Sequence, residues 1–162
     1  MTVMNLDKLE VWVRSKDFAL AVYKDVVPHL PADEKWNLTQ QLKRAAQSIP
    51  ANIAEGHGRF HFLDNVRFCY IARGSLSEVQ SHMELARDLG YLSDEIYKRM
   101  TAHAESIGKQ LNNYIAYLKR SKQGEKEFPQ DYSVREESVS YIFDDLNEDE
   151  QNHQPSSINY NL

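Results

Sequence analysis

The sequence predicts an all-α fold, an antiparallel up-and-down four-helix bundle with an acidic C-terminal tail. Three observations lead there. Four segments carry apolar residues at offsets of three and four, the connectors between them are short and marked by Pro or Gly, and residues 1–122 show no alternation of a strand type. At 162 residues the chain is long enough for one domain with a real core. The bundle is assigned to residues 1–122 and the tail to residues 123–162.

The first helix is predicted from about Leu6 to Val27. Val11, Ser15, Phe18, Val22 and Val26 line its inward face, with Trp12, Ala19 and Tyr23 on the flank, and Pro28 and Pro31 close it. The connector His29 to Glu34 has room for one short helical turn. The second helix begins near Leu38 with Asn37 or Thr39 as its cap. Leu38, Leu42, Ala46, Ile49 and Ile53 form its core stripe. A parallel stripe of Ala45, Ser48, Asn52, Glu55 and Arg59 is small or polar, suited to close approach and hydrogen bonding. Pro50 lacks an N–H and its ring presses on the carbonyl of Ala46, so the helix is expected to kink there without losing its apolar phase, and to end at Gly56 and Gly58.

The third helix is predicted from about Phe62 to Leu89, with Phe68, Ala72, Ser75, Val79, Met83 and Ala86 inward. Gly74 in mid-helix costs about 1 kcal/mol against alanine, which suggests a close contact there. Gly90 is a left-handed stop. Ser93 then caps the fourth helix, Asp94 and Glu95 oppose its dipole, and Leu92 is placed to staple onto Tyr97. Ile96, Met100, Ile107, Leu111, Ile115 and Leu118 form its stripe, and the helix is expected to reach about Lys122.

From Gln123 onward Glu, Asp, Ser, Asn and Gln dominate, a composition that buries too little apolar area to order itself. Residues 139–146 interrupt it and form a candidate short ordered segment. The net charge of −5 divides unevenly, +3 over residues 1–122 and −8 over residues 123–162. The tail is therefore a candidate electrostatic cover that competes with nucleic acid for the cations of the body. The single cysteine, Cys69, excludes an intrachain disulfide framework and reads as a small buried hydrophobe. With no signal-peptide pattern and no membrane-length apolar run, a bacterial cytoplasm is expected and no membrane partner.

Lys43 to Gly56 reads Lys-Arg-Ala-Ala-Gln-Ser-Ile-Pro-Ala-Asn-Ile-Ala-Glu-Gly, and Ile71 to Glu78 reads Ile-Ala-Arg-Gly-Ser-Leu-Ser-Glu. The two motifs, in this order, resemble the four-helix-bundle family encoded in intervening sequences of bacterial 23S rRNA genes. That resemblance spans roughly residues 6 to 120. It implies an up-and-down bundle assembled as a ring-like homopentamer. A more distant relative, the accessory variability protein of diversity-generating retroelements, is an expected analogue that binds nucleic acid and partners a reverse transcriptase.

No catalytic, cofactor-binding or metal-binding residue is assigned. Di-iron bundles use Glu-x-x-His pairs from facing helices, which residues 1–122 lack, although Glu78 and His82 share a face that His103 is able to approach. His57 and His61 flank a glycine turn, where solvation is the ordinary state of a histidine. Glu55 and Glu78 are a candidate carboxylate pair, but no activated nucleophile or phosphate-cradling loop accompanies them. The simpler reading is a structural polar network of Ser48, Asn52, Glu55, Arg73, Ser75 and Glu78. Nucleic-acid binding is expected through Lys43, Arg44, Arg59, Arg67, Arg73, Lys119, Arg120 and Lys122, each of which also suits a solvated helix face. The reading is a non-enzymatic homo-oligomeric accessory protein that binds RNA or DNA in a ribonucleoprotein or reverse-transcriptase context. Its alternative is a protein-interaction scaffold ring without nucleic acid.

Overall fold

A computed structural model describes residues 6–59 and 61–121. Four α-helices account for most of them: α1 (Glu10–Ala21), α2 (Leu38–His57), α3 (Phe62–Asp88) and α4 (Asp94–Arg120), with no strand among the described residues. Each helix packs on its neighbours in chain order, and α1 closes the bundle against α4. The α2–α3 pair shares the most extensive contact. The expected tail segment at 139–146 and the candidate cation Lys122 lie outside the described residues.

The core stripes fall where the periodicity puts them. Val11, Phe18, Val22 and Val26 meet Leu42, Ala46, Ile49 and Ile53 of α2, with Val79 and Met83 of α3 and Met100, Ile107 and Leu111 of α4 completing the interior. Ser15 lies fully inside because its Oγ donates to the carbonyl of Val11 at 2.6 Å, which satisfies the hydroxyl without a partner from another helix. Phe68 and Ile96 sit at the edge of the core, half-buried.

Three helix ends differ from the sequence expectation. The first helix is not one uniform α-helix from Leu6 to Val27. A 3₁₀ turn (Leu6–Lys8) precedes α1, and a single π-helical turn (Val22–Val26) and a 3₁₀ turn (Val27–His29) follow it. Pro28 explains the change, since it offers no N–H to the preceding turn and its ring crowds the carbonyl of Lys24. At the start of α2, Asn37 holds the cap position without a side-chain cap bond. Glu34, from the 3₁₀ connector Ala32–Trp36, reaches over instead, and its Oε2 accepts from the Leu38 N–H at 3.2 Å. At the other end Gly58, not Gly56, is the capping residue. The helix runs through Pro50 without a break in assignment.

The glycines of α2 and α3 exchange the roles the sequence suggested. Gly56 is a point of close approach between α2 and α3: a Cβ there would meet Asn65 Oδ1 and Phe68 Cβ at 2.9 Å and the Asn65 carbonyl at 3.0 Å. Gly74 makes no such contact among the described residues, for a Cβ there would find none of their atoms within 4 Å. Gly90, at φ +77°, stops α3 in the left-handed region, and the Ser93 Oγ accepts from the Ile96 N–H at 3.3 Å to start α4. Gly56→Ala is expected to cost about 1–3 kcal/mol through overpacking. Thermal unfolding followed by circular dichroism checks this, and an unchanged midpoint would remove the steric role given to Gly56.

Candidate nucleic-acid interface

The small polar stripe of α2 meets α3 through a compact hydrogen-bond set. Ser48 Oγ and Ser75 Oγ lie 2.8 Å apart, Asn52 Nδ2 donates to the Ser48 carbonyl at 2.7 Å and to its Oγ at 2.9 Å, and Ser75 Oγ reaches the Ile71 carbonyl at 3.1 Å. The three charged residues assigned to the same network go elsewhere. Glu55 pairs with Arg59 one turn along α2, Glu78 lies 3.6 Å from His82 one turn along α3, and Arg73 donates to Asn112 Oδ1 of α4 at 3.0 Å. The physical reason is exposure: a half-exposed carboxylate keeps its solvation beside a partner on its own helix and gains nothing from burial.

A second polar cluster closes the end of the bundle where α2 stops, α3 starts and α4 finishes. The Tyr114 hydroxyl accepts from Asn65 Nδ2 at 3.1 Å and lies 3.2 Å from His57 Nδ1, while Cys69 Sγ donates to Asn65 Oδ1 at 3.6 Å. His57 is therefore not the solvated turn histidine expected from its place beside Gly56 and Gly58. Its Nε2 is buried and makes no hydrogen bond in the structure. Burial raises the Tyr114 hydroxyl above its ordinary range, against the lowering effect of Asn65, and pushes the Cys69 thiol up to about 12. A thiol so raised stays protonated and inert.

The cations divide between two places. Lys43 lies 5.3 Å over the Tyr23 ring near the far end of α2, and Arg44, one residue on, is exposed. Arg59 stacks on Phe68 at 5.1 Å and Arg67 lies 3.6 Å from Asp64, so both have local partners. The outer seam between α3 and α4 is different. Arg73 and Lys119 lie over the same Tyr70 ring, at 4.9 and 5.6 Å, and Lys119 Nζ donates to the Tyr70 hydroxyl at 3.0 Å. Lys109, Asn112 and Lys119 recur at helical spacing on the α4 side of that seam, with Arg120 exposed beside them. One aromatic ring and the two cations it holds, Arg73 and Lys119, thus form a strip on this seam, and Lys109 and Arg120 are exposed on α4.

Residues 7–113 match the family model described as 23S rRNA-intervening sequence protein, well over half of the chain. The chain belongs to the 23S rRNA-intervening sequence protein family. Among solved structures that match is a protein of unknown function of the S23 ribosomal protein family from Bacteroides thetaiotaomicron. It is 25% identical with a TM-score of 0.60, over 65% of this chain and 97% of that one. No curated protein matches.

The two motifs at residues 43–56 and 71–78 lie on the facing helices α2 and α3, and Ser48 and Ser75 join them. Lys119 and Arg120 lie beyond the matched span. Tyr70, Asn112 and Lys109 were missed in the sequence. The signal was present, since Tyr70 stands one turn before Arg73 and Lys109 and Asn112 prefix the Lys119 register, but contact across α3 and α4 shows only once the helices are paired.

The side chains weighed for metal or acid–base chemistry do not converge. Among the described residues no three His, Cys, Asp or Glu side chains form a group able to hold a metal ion. His103 turns toward α1, edge-on to Phe18 at 5.1 Å, instead of toward Glu78 and His82. Among the described residues, no helix is long and apolar enough to cross a membrane.

Two outcomes are expected. Tyr114→Phe strands the polar atoms of Asn65 and His57 and should cost about 1–3 kcal/mol in thermal unfolding. Burial lowers the His103 pKa, outweighing the attraction of Asp17. The folded state then binds the proton less readily than the unfolded chain, so stability is complete above about pH 6.5 and falls as pH drops through the lowered value. Urea unfolding between pH 7.5 and 5 should show this loss, and His103→Gln should flatten it.

Proposed function

We propose that this chain is a non-enzymatic homo-oligomeric accessory protein that binds nucleic acid through the α3–α4 seam, in a cytoplasmic ribonucleoprotein setting. The observation that carries the reading is the pair Arg73 and Lys119 held over Tyr70, with Lys109 and Arg120 exposed on α4. Two cations preorganised on one ring lose less side-chain freedom on meeting a phosphate than two free ones. A partly exposed tyrosine beside them suits the edge or face of an unpaired base. The placement of Glu55 and Glu78 in exposed pairs with Arg59 and His82 supports a binding role and not acid–base catalysis. By analogy with the retroelement accessory protein, a reverse transcriptase is the protein partner to try first, and repetition of the strip around an oligomer supplies the avidity that one modestly basic body lacks.

Binding to a fluorescent single-stranded RNA should weaken steeply with added salt. Arg73→Ala or Lys119→Ala should weaken it at every sequence and lower the salt slope by about 1 for each phosphate contact removed. Salt-independent binding, or full affinity in the double variant, would refute the seam and favour the scaffold reading.

A further inference from the structure

Arg73 is held differently from most arginines of the bundle. Arg14, Arg59, Arg67, Arg87 and Arg99 each lie against a carboxylate. Arg73 has no carboxylate partner among the described residues, and two neutral groups fix it instead. Its guanidinium lies 4.9 Å over the Tyr70 ring, one turn back on α3, and its Nη1 donates to Asn112 Oδ1 of α4 at 3.0 Å. An arginine on a solvated helix face gives up rotamer freedom when it meets a ligand, whereas one tied at two points has already lost it. The charge of Arg73 is positioned without being neutralised.

The guanidinium is also a plane. With the Tyr70 ring on one side, its other side offers a flat and weakly hydrated cation, and Arg73 is only partly buried. A surface of that kind matches the face of a nucleobase, because guanidinium planes and aromatic rings are the two platforms on which unpaired bases stack.

Burial decides which nucleic acid brings a base there. Tyr70 and Arg73 are half-buried between α3 and α4, whereas Lys109, Asn112 and Arg120 of α4 are exposed. A duplex keeps its bases stacked and paired inside, so it meets a recessed seam with its backbone alone. An unpaired strand is able to turn a base into it.

We infer that Arg73 is the residue by which the seam selects unpaired nucleotides, a base stacking on the guanidinium face that looks away from Tyr70. Asn112 is the positioning residue that holds this plane in place. The ligand class is single-stranded nucleic acid, so the inference rests on the nucleic-acid part of the proposed function and names its substrate class. Charge by itself works in the opposite direction, since a duplex carries more phosphate per unit length and releases more counterions. A preference for the single strand therefore has to come from the base.

The test compares a fluorescent RNA of about 12 nucleotides, unpaired, with the same strand annealed to its complement, using the full-length protein at one salt concentration. Wild type should bind the unpaired form about tenfold more tightly, the gain from one stacked base. Arg73→Lys keeps the charge and loses the plane. It should bind the duplex within about twofold of wild type, with an unchanged salt slope, and bring the ratio of the two affinities close to one. Asn112→Ala alters no charge and should lower the ratio about threefold by loosening Arg73. A tether that only joins α3 to α4 would change both affinities together and leave their ratio alone.

Equal wild-type affinity for the two forms, a preference for the duplex, or a single-strand preference that Arg73→Lys retains overturns this inference alone. An unchanged ratio in Asn112→Ala overturns the positioning role of that amide. Failure of wild type to bind either form overturns the inference together with the nucleic-acid part of the proposed function.

Discussion

Everything else in the bundle depends on how closely α2 and α3 approach each other. The approach is set at one end by Gly56, whose missing Cβ leaves the space Asn65 and Phe68 fill, and midway by the Ser48–Ser75 hydroxyl pair. Small residues alone would permit the distance without specifying it. The hydrogen bonds add direction, because Ser48, Asn52 and Ser75 satisfy one another in a single register and a slip of one turn would leave them unpaired in a half-buried seam. This register then places Asn65 where its side chain reaches Tyr114, which ties α4 to the same end, and it sets the height of every residue on the outer face of α3.

Aromatic rings and cations pair in two places on the surface, the α3–α4 seam and an open groove between α1 and α2. On the α3–α4 side, rings serve as platforms that hold cations: Tyr70 carries Arg73 and Lys119. On the α1–α2 side the rings are walls, with Trp12 and Tyr23 lining the groove under Lys16 and Lys43. The same pairing of aromatic and cation thus serves in two geometries. On the seam the ring is flanked on both sides by charge, whereas in the groove the floor beside the rings is Ala and Pro.

The fold was legible in the sequence because it rests on a one-dimensional signal. The offsets of Leu38, Leu42, Ala46, Ile49 and Ile53, or of Met100, Ile107, Leu111 and Ile115, are a property of neighbours along the chain, and burial follows them. The helix ends were harder, since several local solutions compete. Asn37 is a good cap by type, yet Glu34 occupies the Leu38 N–H from a 3₁₀ turn that periodicity does not register. Gly56 and Gly74 were indistinguishable by residue type, and only the packing of α2 on α3 showed one as a contact and the other as open. The candidate site was legible in its cations and illegible in its organisation. Arg73 and Lys119 are far apart in sequence, and the ring that unites them, Tyr70, carries no charge to draw notice.

The order of the helices has a kinetic consequence. The α2–α3 hairpin combines the most extensive contact in the bundle with a turn of only a few residues, so it closes at the smallest loss of chain entropy. The α1–α4 contact joins the two helices furthest apart in sequence and has to wait until the pieces between them are in place. The hairpin bearing both family motifs is therefore expected to be the first tertiary structure that forms as the chain leaves the ribosome, complete before α4 has been synthesised.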